Sequence, residues 1–168
     1  MTSQQRKFGG GRRGVAVAAL ALALGVACFG VAAAAVINLT ATLEGTQEVP
    51  PNASPATGTA VMVLDTDANT LDYNVTFSGL TAPQTNAHFH GPAAPGVNAP
   101  VRFGIGVGSP NIGVWNLTDA DETMILDGLV YVNVHTTAFP GGEIRGQVGI
   151  APNATEASTW GQIKSLYR

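Results

Sequence analysis

The 168-residue chain contains a single cysteine, Cys28, so no disulfide can form within it and stability must come from packing. Charged residues make up only 11% of the sequence, and eight basic residues face eleven acidic ones. That balance excludes the basic footprint that nucleic-acid phosphates require. Glycine is plentiful, but no glycine loop of the phosphate-binding kind and no nucleophile elbow occurs, which removes nucleotide-binding and serine-hydrolase readings. Helical periodicity is also scarce before the last dozen residues.

What is present begins with a leader. Arg6, Lys7, Arg12 and Arg13 precede an uncharged run from Gly14 to Val36 that is rich in Ala, Val and Leu, and Ala33 and Ala35 give an A-x-A exit. This order predicts a secretory signal peptide over residues 1–35, cleaved after Ala35, with a signal helix. The alternative is an uncleaved membrane anchor, since the run is long enough to span a bilayer. The Arg12-Arg13 pair also permits a twin-arginine route. Cleavage removes Cys28 and four basic residues. Four basic minus eleven acidic residues leave the mature chain at −7. Roughly 115 to 130 residues then rely on one hydrophobic core, which is enough for a single domain.

The mature region reads as strands between Gly, Pro, Asn and Asp punctuation. Val36–Leu43 alternates. Gly58–Leu64 and Leu71–Phe77 form a hairpin across Asp65–Thr70, whose Asx residues favour a turn over a calcium loop. Ala87–His90, Val101–Ile105, Val114–Leu117, Met124–Leu126, Leu129–His135 and Glu143–Ile150 complete the expected strands. The fold class is all-β: an antiparallel Greek-key β-sandwich or flattened barrel. Residues 152–168 read as a linker and a short C-terminal helix, with Trp160, Ile163, Leu166 and Tyr167 at helical spacing. That helix either packs on the domain or serves as a docking or sorting tag.

Three histidines carry the chemical signal. His88 and His90 are two apart on a strand, so both side chains leave one face, with Cα atoms ~7 Å apart. His135 ends the valine-rich strand, on the face that carries Tyr131 and Asn133. Three neutral imidazoles suit copper, or alternatively zinc, and leave a coordination position open. The plainer reading is a set of solvent-facing histidines without a metal. Glu143 and Arg145 share a strand face just beyond. They either bridge each other, or Glu143 orients an imidazole while Arg145 guides an anion to the metal.

Several segments together resemble the CHRD (chordin-type) domain family, over about residues 38–150. They are Leu43-Glu-Gly-Thr-Gln-Glu-Val-Pro-Pro51, Ala56-Thr-Gly-Thr59, Phe77-Ser-Gly-Leu80, Ala87-His-Phe-His-Gly-Pro92, Val130-Tyr-Val-Asn-Val-His-Thr136 and Pro140-Gly-Gly-Glu-Ile-Arg-Gly-Gln147. The resemblance implies one exported domain, residues 36–151. The order of an H-x-H strand, a later histidine and an arginine is also similar to the layout of copper–zinc superoxide dismutase. That similarity implies copper ligands at His88, His90 and His135 and an anion-guiding Arg145. The chain has no counterpart of the bridging histidine, the zinc cluster or the disulfide.

Three functional readings follow. The first is a periplasmic or secreted metal-binding domain. The second is an extracytoplasmic protein- or glycan-binding module without metal. The third is a redox enzyme acting on superoxide or a related small oxidant. A metal ion is the expected partner, nucleic acid is not, and membrane contact would come through an uncleaved leader.

Overall fold

A computed structural model describes residues 35–152. The expected signal peptide, Cys28 and the C-terminal segment from residue 153 lie outside the described residues. Nine strands follow in chain order: β1 Val36–Glu44, β2 Thr57–Asp65, β3 Thr70–Ser78, β4 Gln84–His90, β5 Val101–Ile105, β6 Asn111–Asn116, β7 Tyr131–Thr136, β8 Ile144–Gln147 and β9 Gly149–Ile150. Among the described residues one α-helix, α1 Asp119–Leu126, precedes β7, and a short 3-10 turn, Gly45–Gln47, follows β1.

β1, β3, β4 and β7 carry the alternation that a two-sided sheet demands, with an inward apolar face and an outward polar one, whereas β6 turns Ile112 and Val114 outward. Leu39, Ala41 and Leu43 of β1 point inward with Ala60, Met62 and Leu64 of β2 and Leu71, Tyr73 and Val75 of β3. Ala87 and Phe89 of β4 meet them across the interior, with Val132 and Val134 of β7 and Ile144 of β8. Phe89 stacks on Trp115 at 5.4 Å and meets Tyr73 edge-on at 5.5 Å. Burying each such side chain contributes about 1.5–3 kcal/mol.

All strand pairs are antiparallel, in the order β5-β4-β7-β8-β1-β2-β3-β6, with β9 also pairing β1. The two ends of this order, β5 and β6, are joined by the Gly106–Pro110 loop, so the sheet curls into a nearly closed barrel. The chain crosses an end of the barrel from β3 to β4 and again from β6 to β7. The second crossing gives the Greek key: β7 lies beside β4 rather than beside β6. This crossing is what brings His135 next to His88 and His90.

One expected strand is corrected. Met124–Leu126 belongs to α1, not to a strand. Thr118 caps the helix: its hydroxyl accepts from the Asp121 amide, and the Asp121 carboxylate accepts from the Thr118 amide in return. Arg102 of β5 holds the same carboxylate through Nε at 3.1 Å. Periodicity gave no sign of the helix because few of its residues, among them Ile125, are buried. The Thr118-x-x-Asp121 spacing was the available signal.

Candidate metal centre

β4 and β7 run side by side with His88 opposite Asn133, His90 opposite Tyr131, and Asn86 opposite His135. His88, His90, Tyr131, Asn133 and His135 therefore share the outer face of the sheet, while Phe89, Val132 and Val134 fill the core behind them. His135 is a diagonal neighbour of His88, within reach of an imidazole. The ring centroids are 5.0 Å apart for His88–His135, 5.4 Å for His88–His90 and 5.9 Å for His90–His135.

Main-chain carbonyls aim two of the rings. His90 Nδ1 lies 2.9 Å from the Ala99 carbonyl, and His135 Nδ1 lies 3.0 Å from that of Pro140. A carbonyl only accepts, so in both rings Nδ1 carries the proton and Nε2 presents a lone pair. His135 Nε2 faces His88 Nδ1 at 3.1 Å. His90 Nε2 is buried and has no hydrogen-bond partner. One ligand nitrogen from each of the three residues lies within 4.8 Å of the others. Nitrogens bound at ~2 Å to one ion stand ~3–4 Å apart, so small side-chain rotations suffice to close the set. Among the described residues this is the one such group of potential ligands.

Electrostatics suits ligation. Burial lowers the pKa of all three histidines below the usual imidazole value, and the neighbouring His135 lowers that of His88 further. For His90 and His135 the hydrogen bonds to Ala99 and Pro140 act in the opposite direction but do not overcome burial. The rings are accordingly neutral at neutral pH, the form a metal needs.

The outer face is itself covered. All six residues of β7 are buried. The loop between β4 and β5 lies over them: the Tyr131 hydroxyl accepts from the Ala99 amide at 3.1 Å, and the Asn98 amide donates to the Val49 carbonyl. Tyr131 stacks parallel to His90 at 4.9 Å. Arg145, from β8 on the other side of β7, lays its guanidinium 3.4 Å from the centre of the Tyr131 ring.

The structure gives Glu143 and Arg145 partners outside the three histidines. They do not bridge each other, because each is committed elsewhere. Glu143 is fully buried and its carboxylate accepts from Ser54, from Thr136 and from both the amide and hydroxyl of Thr81. Burial alone would raise its pKa, but these hydrogen bonds outweigh it and hold the carboxylate below its usual range. No histidine is among its partners. It ties three chain segments together instead. Arg145 is 1% exposed and donates to the Val97 carbonyl and to Asn98, so its guanidinium fastens the covering loop. Asn133 likewise turns to Glu48 and the Gly141 carbonyl, not to an imidazole.

The groups that orient the rings were not foreseeable from residue type. Ala99 and Pro140 act through their carbonyls, which every residue has. Glu48 lies in a recognisable segment, but its sequence neighbours gave no sign of its burial.

No helix among the described residues is long and apolar enough to cross a membrane. Comparison with characterised proteins and with solved structures gave no match to either. Comparison with protein families did: the CHRD domain profile covers residues 39–148, from the middle of β1 to the end of β8 and past it, including all three histidines. That span is well over half of the chain and coincides with the barrel, and the chain belongs to the CHRD domain family.

Proposed function

We propose that this CHRD domain binds one transition-metal ion, copper or alternatively zinc, through His88, His90 and His135, and that it does so outside the cytoplasm. The observation that carries the reading is the buried, unpartnered Nε2 of His90 beside the close His88–His135 pair. A buried acceptor without a partner costs about 1–3 kcal/mol. A cation held jointly with the two neighbouring imidazoles would remove that cost.

The donor set fits the group. Three neutral nitrogens are borderline ligands that favour copper and zinc over calcium or magnesium, which take oxygen cages. Ala99 and Pro140 fix the tautomers of two ligands, a task such outer partners perform in known metal sites. His88 Nδ1 and His135 Nε2 stand 3.1 Å apart, and an ion would take the place of a proton between them. When bound, the ion supplies an open coordination position for water or a small molecule. The basic, apolar and small-residue order of residues 1–35 supports export.

The test is a titration of the purified protein with copper and with zinc, followed by elemental analysis. One ion per chain is expected, with affinity at least 100-fold lower in the His88→Ala, His135→Ala double variant. Unchanged affinity in that variant would sink the proposal. No uptake by the unaltered protein would leave a binding module that acts without metal.

A further inference from the structure

A second unsatisfied site lies on the same covered face, away from the histidines. Glu48 follows the short 3-10 turn Gly45–Gln47 and is 5% exposed. Its Oε2 accepts from Asn133 Nδ2 at 3.4 Å. The other atom of each group, Glu48 Oε1 and Asn133 Oδ1, is buried and unpartnered. A Cβ placed on Gly142 would press at once on that Oε1, that Oδ1 and Asn133 Nδ2. Carboxyl and amide thus converge on one point, each with an acceptor oxygen left over.

Two acceptors cannot satisfy each other, but one proton placed between them satisfies both. We propose that Glu48 is a proton-binding site: below neutral pH it holds a proton on Oε1, donates it to Asn133 Oδ1, and forms with Asn133 a cyclic acid–amide pair. Nδ2–H to Oε2 closes the ring from the other side.

The surroundings agree. Arg145 of β8 is the charged group that acts on Glu48, and its positive charge favours the carboxylate. Its guanidinium, however, is engaged with Val97, Asn98 and the Tyr131 ring and makes no hydrogen bond to Glu48. The Asn133 side chain and a backbone hydrogen bond at Val49 also favour ionisation. Burial outweighs all three, and the Glu48 carboxyl is pushed up to about 7. Glu143, two residues before Arg145, is held by hydroxyls and the Thr81 amide. His135, two residues after Asn133, is kept neutral by burial. While Glu48 keeps its proton, the covered face carries the uncompensated positive charge of Arg145, and ionisation cancels it.

The sign of the linkage follows from the raised value. A carboxyl at 4.5 when unfolded and about 7 when folded binds more protons in the folded state between those limits. Its stabilising contribution is complete below pH 4.5 and is lost as pH rises through 7. The three histidines, lowered in the fold, act in the opposite direction below pH 6.5, so a difference between two proteins that share them isolates Glu48.

Two measurements on the full chain decide the matter. The Glu48 carboxyl carbon, assigned by through-bond NMR on the unaltered protein, should titrate with a midpoint near 7. A midpoint near 4.5 overturns the proposal. Glu48→Gln keeps a donor for Asn133 Oδ1 and an acceptor for Nδ2 but cannot ionise. Between pH 5 and pH 8 the unfolding constant of the unaltered protein should rise relative to the variant by on the order of 100-fold. Parallel pH dependence in the two proteins also overturns it. If the variant fails to fold, the titration on the unaltered protein still gives the answer. Neither readout depends on metal.

Discussion

The barrel has two outer faces built from strands of the same kind, and they meet opposite fates. On β2 and β3 the outward residues Thr59, Val61, Asp72, Asn74 and Thr76 stand in solvent. On β7 and β8 the outward residues Tyr131, Asn133, His135 and Arg145 are buried beneath the segments 44–52 and 91–100. A polar face left in water needs no partners. A polar face that is covered must find a hydrogen bond for every group or bear the desolvation cost. On the covered face Arg145 is satisfied by a carbonyl, a side-chain oxygen and a ring, and Tyr131 by the Ala99 amide. Among the described residues the buried side-chain atoms left without a partner are His90 Nε2, Glu48 Oε1, Asn133 Oδ1 and Gln147 Oε1; binding of a cation is proposed at the first and of a proton at the next two.

Substitutions on the two faces and in the core between them should separate these environments. Phe89 lies directly behind the histidines, stacked on Trp115 and wholly buried. Phe89→Ala should cost about 3–5 kcal/mol in denaturant unfolding, the largest effect of the series. Thr136→Val, at the end of β7 on the inward side of the strand, removes the 2.7 Å hydroxyl donor from the buried Glu143 carboxylate. It should cost about 1.5–3 kcal/mol, because a charged acceptor is left short of a donor. Thr59→Val makes a similar exchange of hydroxyl for methyl on the open face, where the side chain is exposed. Its effect should stay within about 0.5 kcal/mol. If Thr59→Val and Thr136→Val cost the same, the distinction between a polar group left in water and one that is buried is lost.

Much of the barrel was legible because alternation is a local property. The valines of β7 and the H-x-H of β4 announce which side faces the core, and the Asx-rich turn announces the β2–β3 hairpin. The meeting of His135 with His88 was expected from chemistry, but it depends on the β6-to-β7 crossing, and strand pairing is not written in any single segment. Covering of the outer face was not legible at all. Alternating patterns mark a polar side and say nothing about whether a loop will later lie on it. The hydrogen bonds by which Glu143 and Arg145 fasten neighbouring segments could not be read from their positions on a strand. The α1 helix escaped because it buries too little to leave an apolar stripe.

Ala99 and Pro140 aim their imidazoles with main-chain oxygens, and this shifts the burden from spelling to spacing. Exchanging either side chain should leave the ring directions alone so long as the backbone keeps its path. Deleting one residue from the 91–100 loop would carry the Ala99 oxygen away from His90 and untie Tyr131 with it. A relative that kept all three histidines but had a shortened loop would hold the ligands and lose their alignment.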